Sequence, residues 1–308
     1  MALLLGHTLG TPNHSLDEAL ELFAEAGLDG AEVIWQDEYR CGLPEADDGA
    51  MAAAARRKAD ELGLVIEGLT PYVTELNSLD ENVRRRDVGR IKSALRAAEI
   101  IGAHRMRIYG GTLLGNEPHE HAERMWPRLV ESLVELGETA ERHDVVLCVE
   151  NHFSTMTVSA RDTVRLVAAV NSPWVGILYD QANLAFTKRE GFEEAIRLQA
   201  PWIRHVHVKD LEFLHPDRDL VTSAVASIDK ANRIHASRMI GDGILDWGAI
   251  LGLLRQHGYD GSYALEYEYR WNPEDLPAPE IGVPESARRL RAALTADRSP
   301  SPSDVAPA

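Results

Sequence analysis

Cysteine, excess positive charge and long apolar runs are all scarce in this chain. Two cysteines, Cys41 and Cys148, occur in 308 residues, too few for a disulfide framework. Cys148 lies within V-V-L-C-V, a core setting, and the composition suits a reducing compartment. Lys and Arg number 32 against 49 Asp and Glu, for a formal net charge of -17. Phosphate backbones and anionic bilayers are held by clustered cations, so neither a nucleic acid nor a membrane is an expected partner. Solvated acidic faces are sufficient to account for the excess. No apolar stretch approaches the ~20 residues that cross a bilayer. The opening M-A-L-L-L-G-H-T has no basic leader and too short an apolar run for a signal peptide, so the expected location is the cytoplasm. A G-x-G-x-x-G after the first strand is also missing, as is any Gly-rich run that opens a helix beside a Lys. No dinucleotide fold and no dedicated phosphate cradle are expected.

What is present is an alternation of short apolar runs with longer amphipathic ones, in a chain 44% hydrophobic and 26% charged. The expected strands are Leu3–Leu9, Ala31–Trp35, Leu64–Leu69, Met106–Tyr109, Val145–Glu150, Val175–Asp180, Ile203–Val208 and Ser262–Glu266. Between them, stretches such as Leu16–Leu28 carry apolar residues at helical spacing and end on Gly. Ser15 followed three residues later by Glu18 fits a capping box. A further helix ends over Glu138–His143, directly before the fifth strand. Strand-then-helix repeated in this way predicts an α/β chain folded as a single (β/α)8 TIM barrel over residues 1–294. An open doubly wound sheet is the rival. Two segments break the rhythm: a long loop after strand 7, Leu211 to Gly243, and a Ser/Pro/Ala tail, 295–308, expected to be disordered.

In such barrels chemistry collects at the C-terminal strand ends. The fifth strand ends V-E-N-H, delivering Glu150 and His152; the sixth ends Y-D-Q-A-N, delivering Asp180 and Asn183. The seventh, I-R-H-V-H-V-K-D, puts His205, His207 and Lys209 on one face, and the eighth ends with Glu266 and Glu268. One carboxylate at a strand end is satisfied by a structural salt bridge. Several converging in one apolar mouth repel one another and raise each other's pKa unless a cation neutralises them. The economical cation is a divalent metal on Glu150, Asp180, His207 and Glu266; salt bridges among the same groups are the alternative. An oxygen-rich set with one imidazole favours Mn²⁺, with Mg²⁺ or Co²⁺ possible, over structural zinc.

The set resembles the xylose-isomerase-like barrel superfamily, which includes sugar phosphate isomerases/epimerases and ketose 3-epimerases. The resemblance runs from about Leu3 to Leu294 and rests on V-E-N-H at 149–152, Y-D-Q-A-N at 179–183 and H-V-H-V-K-D at 205–210. G-D-G-I-L-D-W at 241–247 and A-L-E-Y-E at 264–268 complete it. It implies that Glu150, Asp180, His207 and Glu266 hold the metal and that Glu150 and Glu266 form the acid/base pair. Two departures stand out. Met156 occupies the position of a further substrate-binding glutamate in those epimerases, and Asn183 that of a histidine. A free ketohexose is therefore not expected to be held as it is there. The related endonuclease branch uses several zinc ions and further histidines; the negative charge and Asn183 set it aside.

The chemistry expected is removal of a proton beside a metal-polarised carbonyl by Glu150 or Glu266, and its return by the other. Return to the opposite face gives epimerisation, return to the next carbon gives isomerisation, and loss of a β-group gives elimination. His152 is a third candidate catalytic residue, or else a strand-end cap. Lys209, Asn183, Arg238, His7 and Glu32 are candidate substrate contacts, with Glu67 beside them. For Lys209 the alternative is a salt bridge to Asp210 or Glu212, and for His7 and Glu32 a structural role. Trp35, Tyr109, Trp247 and Trp271 are candidate apolar walls or simply core, and Asp246 is expected to cap the next helix. The partner expected is a small sugar, with a homo-oligomer or a small partner subunit possible. A lyase on the same barrel, either an inosose-type dehydratase or the large subunit of a 3-keto C-glycoside deglycosidase, remains an alternative. A non-catalytic sugar-binding barrel is another.

Overall fold

A computed structural model describes residues 2–114, 119–219 and 233–296. Its strands are β1 (Leu3–His7), β2 (Gly30–Trp35), β3 (Val65–Pro71), β4 (Arg105–Tyr109), β5 (Val146–Glu150), β6 (Val175–Asp180) and β7 (Ile203–Val208). A short ribbon, β8 (Asp210–Phe213) with β9 (His235–Arg238), precedes the last barrel strand, β10 (Ser262–Leu265). The helices are α1 (Leu16–Glu25), α2 (Ala50–Leu62), α3 (Glu81–Ile101), α4 (His119–Arg142), α5 (Ala160–Val170), α6 (Gln181–Thr187), α7 (Phe192–Gln199), α8 (Trp247–Gln256) and α9 (Pro279–Ala296). Eight parallel strands close in the order β1-β10-β7-β6-β5-β4-β3-β2, a (β/α)8 barrel rather than an open sheet.

Alternation along each strand sorts side chains between two environments. On β4, Met106 and Ile108 join the apolar layer under the helices, together with Val33, Leu147, Ile177 and Val206 from other strands and Leu20, Leu95, Leu133 and Leu254 from helices. The alternate residues, Arg105, Arg107 and Tyr109, face inward, so the barrel interior is unusually polar. Ser15 and Glu18 close the capping box of α1, the Ser15 amide donating to Glu18 at 2.7 Å and the Glu18 amide to Ser15 Oγ at 3.3 Å. That helix stops at Glu25, three residues before the expected Leu28, because Gly27 turns the chain with φ 70°.

Other expectations shift at their edges. The first strand ends at His7 instead of Leu9, since Thr8–Gly10 form a 3₁₀ turn. The eighth ends at Leu265, although the Glu266 amide still donates to the Val208 carbonyl at 3.0 Å. The described ends of the connection after β7 form a ribbon, Asp210–Phe213 pairing antiparallel with His235–Arg238. Asp210 anchors it by accepting from the backbone amides of Gly241, Gly243 and Leu245 at 3.0, 3.2 and 3.2 Å. Asp246 caps α8, accepting from the Ala249 amide at 3.0 Å. Helix α9 continues to Ala296, two residues into the segment expected to be tail. The remainder of that tail, 297–308, lies outside the described residues, as do 220–232 of the seventh connection. Among the described residues no helix is long and apolar enough to cross a membrane.

Candidate metal centre

The site grows from β7. Its three inward polar residues step up the barrel: His205 and His207 in the interior, Lys209 just beyond the strand. All are buried. Glu32, at the matching height on β2, receives both imidazoles. His205 Nε2 donates to Glu32 Oε2 at 2.7 Å, and His207 Nε2 lies 3.1 and 3.2 Å from the two Glu32 oxygens. Thr70 donates its hydroxyl to the same carboxylate. Gly68 makes room for it, because a Cβ there would meet Glu32 Cγ at 2.9 Å. Burial opposes the charge on Glu32, but His207, His205 and His7 outweigh it and hold the carboxyl well below its usual range. Glu32 is thus a buttress for the histidines.

With Nε2 committed to Glu32, His207 presents Nδ1 upward. That atom is buried and has no hydrogen-bond partner, with Glu150 Oε1 at 3.6 Å and Glu266 Oε2 at 3.5 Å. A register shift between Ile177 and Leu178 brings Asp180 level with His207 across β6 and β7. Ligand atoms of Glu150, Asp180, His207 and Glu266 all lie within 4.8 Å of one another. Three carboxylates around an unspent imidazole nitrogen suit a hard or borderline divalent cation, and Glu32 behind the ring supplies the carboxylate–histidine pairing that orients a metal-binding imidazole. The residues fit the group. A second convergence, of His7, Glu32 and His207, is instead the buttress itself, since the Glu32 oxygens already serve two imidazoles and a hydroxyl.

Charge is balanced locally by Lys209. Its Nζ lies 2.7 Å from Glu266 Oε2, 2.9 Å from Asp180 Oδ2 and 3.4 Å from Glu268 Oε1. Neither Asp210 nor Glu212 is its partner. Burial alone would lower the Lys209 pKa, yet Asp180 and the glutamates raise it well above the usual value. Burial pushes Asp180 up to about 7, against the pull of Lys209. Burial works the same way on Glu150, but there the neighbouring His207, His152 and Arg107 prevail and the carboxyl falls to about 2. Glu266, also buried, is held well below its usual range by Lys209 and His207. His207 resists its own burial because Glu32 and Glu266 surround it, and its pKa stands well above the usual imidazole value.

Asn183 bridges the acids, its Nδ2 donating to Glu150 Oε1 and Asp180 Oδ2, both at 3.0 Å, while its Oδ1 has no partner. His7 accepts the Leu9 amide at Nδ1 (3.0 Å) and leaves Nε2 without a partner, 3.9 Å from Glu32; burial lowers its pKa to about 4. His152 donates from Nδ1 to the Phe153 carbonyl at 2.6 Å and packs edge-on against Tyr109; burial also takes it to about 4. Arg238 stays in the ribbon, donating to Glu212 and to the Ser237 carbonyl. Glu67 pairs with Arg105 low in the barrel. Trp35 and Trp247 belong to the main core, and Trp271 packs on Leu9, Ile34 and Cys41.

Three features escaped the reading of the sequence. Asn151 clamps β5 to β6, donating to the Asp180 carbonyl at 2.6 Å and accepting its amide at 3.2 Å. Ser237 donates to Glu268 at 3.0 Å and so orients an acid of the Lys209 cluster. Arg107 lies fully inside, 3.7 Å from Glu150 Oε2. The alternation R-M-R-I-Y on β4, which puts two arginines on the face of Tyr109, is the signal that could have found it.

Residues 20–293 match the xylose isomerase-like TIM barrel family. Among curated proteins, the chain is 26% identical over 156 residues to an inosose dehydratase of Bacillus thuringiensis (strain Al Hakam), 51% of each chain; this chain thus spans about half the length of such relatives. Among solved structures, a zinc-binding IolI protein superposes with a TM-score of 0.75 at 18% identity, covering 97% of this chain and 100% of that one. An L-ribulose 3-epimerase superposes at 0.72 and 20% identity, covering 97% and 96%. The dehydratase and the epimerase are enzymes, and the structural likenesses speak for the fold. The chain belongs to the xylose isomerase-like TIM barrel family.

Proposed function

We propose that this protein is a divalent-metal-dependent isomerase or epimerase acting on a keto sugar or sugar derivative through an enediolate. One observation carries the reading: the buried, unpartnered Nδ1 of His207 amid Glu150, Asp180 and Glu266. Mn²⁺ is the cation we assign, with Mg²⁺ or Co²⁺ as substitutes. Bound there, it would polarise a substrate carbonyl and make the neighbouring C–H acidic.

The chain's own groups divide the remaining work. Glu150 and Glu266 approach from different strands: the ionised one takes the substrate proton, and the other, once it has picked up a proton from solvent, delivers it from its own side. Lys209, in contact with Glu266 and Asp180, holds both carboxylates in place and offsets the charge of the acids around it. Asn183 keeps Glu150 and Asp180 from turning away. His152, neutral with Nδ1 spent on a carbonyl, has Nε2 left as an acceptor.

A second reading has the same first step followed by loss of a β-group, that is, a lyase. The similarity to an inosose dehydratase favours considering it. One experiment covers both: candidate keto sugars, inosose and 3-keto-glycosides are incubated in deuterated water with Mn²⁺ and followed by NMR. Exchange at the carbon beside the carbonyl is expected, is abolished by EDTA, and falls ~10³-fold or more in Glu150→Gln. Protein that carries no divalent metal, whose behaviour EDTA leaves unchanged, refutes the reading in favour of a non-catalytic barrel.

A further inference from the structure

Two arginines point into the barrel from β4, and they are treated differently. Arg105 is spent: Nε donates to the Arg204 carbonyl at 2.7 Å and Nη1 pairs with Glu67. Arg107, 2% exposed, leaves Nε and Nη1 with no hydrogen-bond partner. Its Nη1 is 3.7 Å from Glu150 Oε2, close enough for attraction but too far for a hydrogen bond. Tyr72 and Tyr109 lie against the guanidinium with ring centroids 4.4 and 3.9 Å from Cζ; the two rings are nearly perpendicular, their centroids 6.0 Å apart, so they flank it on adjacent sides and leave Nε and Nη1 unspent. Lys209, the other cation beside the acids, has its charge met by Asp180, Glu266 and Glu268.

A buried guanidinium with unspent donors is costly to keep, and natural structures rarely leave such groups unsatisfied without a ligand or water to meet them. Its planar fork matches two oxygens of a carboxylate or enediolate, which a lysine ammonium does not. We propose that Arg107 is a substrate-binding residue whose edge seats an oxyanion beside Glu150, either a carboxylate the substrate brings or the oxygens of the enediolate it becomes. The proposal deepens the reading of the preceding subsection and rests on it for placing substrate at Glu150. It makes β4 a specificity element: an anionic or enolising oxygen is drawn to the site by a cation whose Nε and Nη1 make no hydrogen bond to the metal ligands.

The test is binding, read by calorimetry on the full chain loaded with Mn²⁺ and repeated after EDTA. Two probes are used: D-gluconate, a sugar acid with a ground-state carboxylate, and a short-chain hydroxamate, a planar stand-in for an enediolate. Wild type is compared with Arg107→Met, which keeps length without charge, and Arg107→Lys, which keeps charge without the fork. At least one probe is expected to bind about 10-fold or more weakly to Arg107→Met, with Arg107→Lys recovering only part. Loss confined to gluconate identifies a substrate carboxylate, and loss confined to the hydroxamate identifies the enediolate oxygens. If neither probe binds wild type, or both bind each folded variant within about two-fold of wild type, the proposal is wrong. Should Arg107→Met fail to fold, Arg107→Lys alone decides on the same threshold. Failure of proton exchange on every keto sugar, with the probes still sensitive to Arg107, would instead count against the isomerase reading and leave the oxyanion seat standing.

Discussion

Replacing Glu32 by Gln keeps the shape of the buttress and removes an acceptor. Glu32 Oε2 accepts from His205 Nε2 at 2.7 Å and from His207 Nε2 at 3.1 Å, and Oε1 receives Thr70. An amide offers one oxygen and one N–H₂ to the same three donors; where the N–H₂ takes the place of Oε2, both imidazoles meet a donor and His207 moves its proton to Nδ1. For His207, Nδ1 is the atom left free between Glu150 and Glu266. Losing such a supporting carboxylate weakens metal affinity ~10–100-fold, about 1.4–2.7 kcal/mol. At a metal concentration ~100 times the wild-type Kd, binding stabilises wild type by about 2.7 kcal/mol and the variant by about 0.4–1.4 kcal/mol. With an unfolding entropy of about 2.1 cal/mol/K per residue, the metal-induced rise in Tm is about 4 °C in wild type and about 0.6–2 °C in Glu32→Gln. Scanning calorimetry with and without Mn²⁺, and a chelator competition for Kd, measure both quantities. A variant that binds Mn²⁺ within about two-fold of wild type would show that Glu32 does not orient His207 for metal, and the tautomer argument would fall.

Two further outcomes follow from the same cluster. Lys209→Met leaves Asp180, Glu266 and Glu268 without their shared ammonium; in EDTA it is expected to lose ~3–5 kcal/mol in urea unfolding, and Mn²⁺ should restore more stability to it than to wild type. An unchanged urea midpoint in EDTA would contradict that. His7→Asn tests a buried neutral imidazole. Because burial depresses His7 from 6.5 to about 4, the unfolded chain binds the proton first as pH falls. Its stabilisation is therefore complete above pH ~6.5 and lost toward pH ~4, on the order of 3 kcal/mol. Asn can still accept the Leu9 amide, so His7→Asn should lose visibly less stability than wild type between those pH values. Parallel pH–stability curves would count against it.

Much of the architecture was readable because it is local. The strand V-V-L-C-V-E and the helix Leu16–Glu25 announce themselves by period and by a capping box. Eight such alternations leave few ways to close. Acids at the ends of the fifth, sixth and eighth barrel strands, Glu150, Asp180 and Glu266, were likewise visible, since barrel topology carries each strand end to one rim. What was not readable involves pairings across closure. Glu32 and His207 are 175 residues apart and meet because β1 and β10 join the two halves of the sheet. The shift at Ile177/Leu178 that levels Asp180 with His207 leaves no mark in a hydrophobic pattern. Nor does the ribbon Asp210–Phe213 with His235–Arg238, whose strands are four residues each and separated by a long connection.

By itself, then, the sequence determined the kind of element at each position and the class of group each strand carries to the mouth, because side-chain alternation and helical period depend on near neighbours alone. Tertiary structure decided which of those groups are spent and which remain available. His205 is satisfied by Glu32 and Ser262 while His207 keeps Nδ1 free, and Arg105 is hydrogen-bonded while Arg107 keeps Nε and Nη1 without such partners. The reason is physical: hydrogen-bond satisfaction and burial are set by atoms brought together through closure of the barrel, and two histidines or two arginines on one strand face are indistinguishable until it closes.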